Sequence, residues 1–127
     1  LSSMDLEWFK NELTKYSKGE IIINRHATEQ AEVRQISLEE VKQNILHPDK
    51  LVFVEEQEAK NKGERKYNCY FAYSDNYYHR YIIVLNGKLI IVTIIGINRN
   101  WQRAIEGRKW RILSLVMMNR MMIYSSI

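Results

Sequence analysis

The spacing of apolar residues along the chain changes from a helical period to a strand-like period near Pro48. Before that proline, apolar residues recur at intervals of three and four, which is the spacing of one buried helix face. The pattern predicts three helices and one extended run: a helix over 5–17 that stops at Gly19, an edge strand or extended lead-in over 20–24, a helix over 28–34, and a helix from Ser37 to His47–Pro48.

The start of the third helix is marked by the sequence Ser37-Leu38-Glu39-Glu40. This spacing is typical of a capping box, in which the Ser37 hydroxyl accepts from the amide of Glu40 and the Glu40 carboxylate reaches back to the amide of Ser37. The sequence therefore predicts a sharp break between the second and third helices.

After Pro48, β-branched and aromatic residues dominate, with turn residues between the apolar runs. Asn86-Gly87 is the strongest hairpin signal, and it favours a type I′ turn, which needs positive φ at both positions. The predicted strands are 51–56, 67–73, 78–85 and 88–97, with turns at 61–64, 74–76 and 86–87. We therefore expect an α+β fold: N-terminal helices packed on one face of a four-stranded antiparallel β-meander, plus a C-terminal helix from about Trp101 or Lys109 to Tyr124.

Length and composition predict one domain over 1–127, with an N-terminal helix (1–19), a core (20–99), and a basic connector with an apolar C-terminal helix (100–127). The single cysteine, Cys69, excludes an internal disulfide and a Cys-rich zinc site, and it suits a reducing cytosol. No signal peptide is visible, and neither apolar run, 82–97 or 112–123, is suited to span a membrane. We expect a cytoplasmic protein with no membrane association.

Charge is unevenly distributed along the chain. Residues 1–58 carry 7 Lys and Arg against 12 Asp and Glu, a balance of −5, whereas residues 59–127 carry 12 against 3, a balance of +9. A basic half of this kind indicates a polyanionic partner, of which nucleic acid is the most obvious. The alternative is a basic surface that serves solubility, or pairing between the two halves.

Four residues carry the chemistry of a possible phosphodiester site: His26, Arg34, Arg80 and Arg99. An imidazole titrates near neutral pH and can act as a base or an acid, and guanidinium groups grip phosphate with two hydrogen bonds. The structural alternatives are a helix-start role for His26, an ion pair or helix-dipole role for Arg34, and a solvent-directed Arg80. His79, on the opposite strand face to Arg80, is a second candidate base.

Basic and aromatic residues alternate in the second half, as at 98–103 and 108–111, a mixture that suits phosphate contact combined with base stacking. The tyrosines of the strands are equally well explained as core residues, and the tryptophans as anchors of a surface connector. The candidate nucleic-acid-binding residues are Arg25, Lys66, Tyr70, Trp101 and Arg103. Glycine-rich phosphate loops and zinc-ligand spacings are absent from the sequence, so no cofactor and no metal site are expected.

The stretch His26-Ala27-x-x-Gln30-x-x-x-Arg34-x-Ile36-Ser37-x-x-x-Val41, followed by a meander that ends in Val92-Thr93-Ile94, resembles an uncharacterised-domain family with the motif H-A-x-x-R-x-x-x-R-x-I-S-x-x-x-V. That family is usually grouped with the RelE-like toxins of the barnase–EndoU–colicin–RelE superfamily. The similarity covers about 21–99. Gln30 departs from the motif, which has arginine there, and a neutral amide cannot neutralise a phosphate.

The resemblance implies a toxin-type, metal-independent endoribonuclease that acts on RNA and is neutralised by an antitoxin-like protein. The competing hypothesis is a non-catalytic module of the same fold that binds nucleic acid or protein. The first predicts that His26, Arg34, Arg80 and Arg99 converge in one basic site. The Met-rich segment over 112–124 is a candidate contact for an antitoxin-like partner or for a second copy in a homodimer.

Overall fold

A computed structural model describes residues 5–108 of the chain. These residues form an α+β fold in which three helices and one short strand precede a run of four strands and a last helix. The elements are α1 (Leu6–Leu13), a 3-10 turn (Lys18–Glu20), β1 (Ile21–Ile23), α2 (Arg25–Val33), α3 (Leu38–Leu46), β2 (Leu51–Gln57), β3 (Arg65–Ser74), β4 (Tyr77–Leu85), β5 (Leu89–Ile97) and α4 (residues 101–108).

The sheet has five strands in the order β1-β5-β4-β3-β2. β2 to β5 are consecutive antiparallel neighbours, which confirms the predicted meander. The prediction of a purely antiparallel, four-stranded sheet is wrong, because β1 pairs in parallel with β5, from Ile21 opposite Leu89 to Ile23 opposite Ile91. Because a parallel pair joins segments that are far apart in sequence, a local sequence pattern does not predict it.

The N-terminal ends of the helices follow from polar side chains that accept backbone N–H groups. Asn24 Oδ1 accepts from Ala27 N at 2.9 Å, which starts α2 three residues before the predicted helix. Ser37 Oγ accepts from Glu40 N at 3.4 Å, so the first half of the predicted capping box is present at α3. The other half of a capping box, in which a glutamate side chain accepts from the amide of the N-cap residue, is found at the 3-10 turn. There Ser17 N donates to Glu20 Oε1 at 2.9 Å.

The hairpin between β4 and β5 forms at the predicted place but not with the predicted turn. Leu85 pairs with Leu89 across a three-residue connection, and Asn86 N donates to Lys88 O at 3.1 Å. Only Gly87 has positive φ, at 72°, whereas a type I′ turn needs positive φ at Asn86 as well. The connection has one residue more than a type I′ turn, so positive φ is not needed at Asn86.

The two faces of the sheet differ in what covers them. α1, α2 and α3 bury their apolar residues on one face, here called the helix face, where Phe9, Ala31 and Val41 meet Tyr67, Tyr81 and other strand residues. On the opposite face, here called the outer face, Ile105 of α4 packs with Phe53, Tyr70 and Tyr78. The predicted C-terminal helix is thus helical over 101–108, and its continuation to Tyr124 lies outside the described residues.

Within residues 5–108, no helix combines the length and apolarity needed to cross a membrane. Cys69 is a free thiol on the helix face, and burial raises its pKa.

Candidate nucleic-acid-binding cleft

α4 is fixed against the outer face by its first residues. Asn100 Oδ1 accepts from Arg103 N at 3.0 Å, which caps the helix, and Trp101 N donates to Asp75 O in the β3–β4 turn at 3.2 Å. Trp101, partly buried, packs with Ala104 against the outer-face cluster. The helix is therefore held at both its cap and its apolar side, and the basic residues around it have defined positions.

Two pockets lie along α4. The inner pocket, of about 170 Å³, lies between the sheet and the helix and is lined by Tyr70, Tyr78, Arg80, Ile97, Arg99, Ala104 and Arg108. The outer pocket, of about 520 Å³, is lined by Asn76, Arg99, Asn100, Arg103, Ala104 and Gly107. Because they share Arg99 and Ala104, the pockets adjoin. We call them together the arginine cleft, after Arg80, Arg99, Arg103 and Arg108.

Arg80 enters the cleft from the middle of the sheet. It lies on β4 between Tyr70 of β3 and Ile95 of β5, on the strand face opposite Tyr81, which belongs to the core under the helices. Its Nε atom is buried and has no hydrogen-bond acceptor among the described residues. A buried, charged donor without an acceptor is costly, so this position favours an anionic ligand in the pocket.

A buried carboxylate holds the guanidinium of Arg108. Glu55 of β2 is fully buried and accepts from Arg108 Nε and, at 3.0 Å, from Nδ2 of Asn68 on β3. The second Glu55 oxygen and the Asn68 Oδ1 have no partner within residues 5–108. One of the four cleft arginines is therefore charge-balanced inside the protein.

The tyrosines of the cleft form its apolar floor. Tyr70 and Tyr78 stack with ring centroids 5.2 Å apart at 10°, and Phe53 meets the Tyr70 ring edge-on at 5.6 Å. Tyr70 is only 4% exposed and lines the inner pocket as a buried ring, and its role in nucleic-acid binding stays a prediction. Burial raises the pKa of Tyr78, against the opposing effect of the nearby Arg80 and Arg99 charges.

The four predicted catalytic residues do not converge. Arg80 and Arg99 line the inner pocket, whereas His26 lies on α2 and Arg34 directly follows it, and α2 packs on the other face of the sheet. His26 is exposed in the first turn of α2, and Arg34 follows its last turn, where Nη1 donates to Gln30 O at 3.3 Å. Spacing along α2 says nothing about which face of the sheet the helix covers, and this is why the expectation failed.

Gln30, the residue that departs from the family motif, has a structural contact. Its Oε1 accepts from the backbone N of Ile94 at 2.9 Å. β1 pairs with β5 only as far as Ile91, so the Ile94 amide lies beyond the end of the parallel pair. The neutral amide thus satisfies a backbone donor at an edge that β1 does not reach.

The remaining residues that were predicted to bind nucleic acid lie on both faces of the sheet. Arg103 lines the outer pocket of the arginine cleft, whereas Trp101 packs against the outer-face cluster, anchors α4 and lines neither pocket. Lys66 lies on the outer face of β3, opposite Val84, outside the lining of either pocket. Arg25 lies on α2, on the helix face and away from the cleft, and its guanidinium pairs with Glu29 at 3.1 Å.

His79, the second candidate base, is part of a buried polar network on the helix face. Its Nδ1 lies 2.7 Å from the Tyr81 hydroxyl and its Nε2 lies 3.1 Å from the Tyr77 hydroxyl. Asn44 of α3 donates to the hydroxyls of Tyr81 and Tyr73 at 2.9 and 2.8 Å. Burial lowers the pKa of His79, and the Glu40 carboxylate opposes that effect. With both ring nitrogens engaged by tyrosines, the imidazole is not available to a substrate.

Comparisons with protein-family models, with curated proteins and with solved structures found no match to this chain. The similarity to the RelE-like motif therefore stays a prediction from the sequence.

Proposed function

We propose that this protein binds single-stranded RNA through the arginine cleft, as a nucleic-acid-binding module. The observation that carries the proposal is the presence of four arginines in the lining of two adjoining pockets on one side of the sheet. Phosphate contacts supply most of the affinity in sequence-independent binding, and arginine makes them with two hydrogen bonds. RNA, rather than another polyanion, is favoured by the RelE-like motif of the sequence.

The charge distribution of the chain supports this proposal. The cleft arginines all belong to the second half of the sequence, which has the excess of positive charge. Acidic residues of the first half lie largely on the helices, where Glu29 and Glu39 pair with Arg25 and Lys18 on the protein itself. An approaching polyanion would therefore meet its most favourable potential on the outer face.

RNA cleavage is not part of the proposal. Metal-independent cleavage needs a base within hydrogen-bond reach of the reacting hydroxyl. Among residues 5–108, no histidine lines either pocket of the cleft, because His26 is on α2 and His79 is buried under the helices. The endoribonuclease hypothesis would need a different arrangement of these groups.

The test is fluorescence anisotropy with a labelled single-stranded RNA. We expect Arg80→Gln and Arg99→Gln each to weaken binding roughly tenfold, as expected for the loss of a charge-assisted hydrogen bond of about 1.5 kcal/mol. Arg65→Gln is the matched control: Arg65 is exposed on the helix-face side, over the rings of Trp8 and Tyr67, and should bind as the wild type does. Equal loss in all three variants would contradict the proposal.

The same RNA, incubated without divalent metal, tests the catalytic alternative. We expect no cleavage by the wild type. Cleavage that is lost in His26→Ala would instead establish the endoribonuclease hypothesis and make His26 a catalytic residue.

A further inference from the structure

The inner pocket of the arginine cleft has properties that a mid-chain phosphate does not need. Its lining combines Tyr70, Tyr78, Arg80 and Ile97 of the sheet with Ala104 and Arg108 of α4. Its volume of about 170 Å³ has room for a phosphate group.

The charge in this pocket exceeds that of a phosphodiester. Arg80, Arg99 and Arg108 supply three positive charges, and Glu55 balances the one on Arg108. Within residues 5–108, the ion pairs leave the two positive charges of Arg80 and Arg99 without a carboxylate partner. Each backbone phosphate of a nucleic acid carries one negative charge, whereas a phosphomonoester carries about −1.5 to −2 at pH 7.

The buried Nε of Arg80 requires a hydrogen-bond acceptor from the ligand. This donor has no acceptor among the described residues, and it belongs to a side chain in the wall of the pocket. A terminal phosphate has three free oxygens and can accept from more than one guanidinium, whereas a phosphodiester has two and must also leave the pocket at both ends.

On these grounds we propose that the inner pocket binds a terminal phosphomonoester of an RNA, with the adjoining outer pocket around Arg103 receiving the next part of the chain. The chemistry is shared by a phosphate on the 5′ end and one on the 3′ end. The inference rests on the proposed RNA binding, because it assigns the part of the ligand that enters the cleft.

The experiment compares three labelled RNAs of one sequence, with a 5′-phosphate, a 3′-phosphate, or hydroxyls at both ends. We expect one phosphorylated form to bind roughly tenfold more tightly than the hydroxyl form, because it gains charge-assisted hydrogen bonds. Arg80→Gln and Arg99→Gln should reduce this preference to near one, whereas Arg65→Gln should retain it. Arg99 is exposed, so its variant tests the pocket even if Arg80→Gln fails to fold.

The possible outcomes separate this inference from the proposed function. Equal binding of all three RNAs, weakened throughout by the arginine variants, would overturn the end-phosphate site and leave RNA binding intact. Binding of a nucleoside monophosphate without binding of any RNA would support the phosphate site and overturn the proposed function. Absence of binding to RNA and to the monophosphate would overturn both.

Discussion

Gln35 ends α2 in a left-handed backbone conformation, with φ of 55°. Ile36 N donates to Ala31 O at 2.9 Å and Gln35 N to Glu32 O at 3.1 Å, which is the hydrogen-bond pattern of a Schellman motif. Glycine is the usual residue at this position because a Cβ atom is strained there. The short link between α2 and α3 is therefore made at a conformational cost.

We expect Gln35→Gly to stabilise the protein by about 0.5–1 kcal/mol, since relief of the strained backbone exceeds the added freedom of the unfolded chain. Urea unfolding measures the change. Gln43→Gly is the matched control: Gln43 is exposed inside α3, and glycine should cost about 1 kcal/mol at such a position. A loss of stability at residue 35 would show that its side chain contributes more than the strain removes.

Individual residues were predictable where strand alternation decided their face. Arg80 and His79 lie on opposite faces, as their adjacent positions in a strand required. Glu55 was missed as a member of the site, and Arg108 was noted only as part of the basic and aromatic stretch 108–111, because their ion pair joins residues far apart in sequence. A charged residue inside the predicted strand 51–56 was the one available signal.

At the scale of elements, α3 is joined to the sheet by a polar contact within an apolar interface. Asn44 is buried and donates to Tyr73 on β3 and Tyr81 on β4. Burial raises the pKa of Tyr73 to about 12, against the opposing effect of the hydrogen bond from Asn44.

We expect Asn44→Ala to destabilise the protein by about 2–4 kcal/mol, because two buried hydrogen bonds are lost and a cavity remains. The free energy of unfolding in urea gives the value. Gln43→Ala, at the adjacent exposed position, should stay within about 0.5 kcal/mol of the wild type. If both variants were equally stable, the contact between α3 and the tyrosines would be dispensable.

The elements that local pattern predicts best are those stabilised by neighbours in sequence. The strands of the meander and the helix from Ser37 to His47 follow from periodicity and caps, and they were found within a few residues. β1 was predicted as a short extended run, but its parallel pairing with β5 depends on contacts with residues about seventy positions away. The side of the sheet that α2 covers depends on the same long-range packing. This side determines which of the predicted site residues lie on the same face.

For the whole molecule, the sheet separates two kinds of surface. The helix face carries most of the core and the His79 network, whereas the outer face carries the smaller apolar cluster and the arginine cleft. This division predicts that substitutions under the helices change stability and that substitutions in the cleft change binding. The dependence of RNA binding on ionic strength measures the contribution of the cleft residues to binding.

Three cleft arginines, Arg80, Arg99 and Arg103, have no carboxylate partner among the described ion pairs, while Arg108 is paired with Glu55. Neutralisation of three phosphate charges on a single strand corresponds to a slope of about −2 for log K against log salt, and the loss of Arg99 should reduce its magnitude by about 0.7. We therefore expect Arg99→Gln to bind RNA with a shallower salt dependence, and Arg65→Gln to retain the wild-type slope. A slope near zero in the wild type, or an unchanged slope in Arg99→Gln, would mean that these guanidiniums do not contact phosphate.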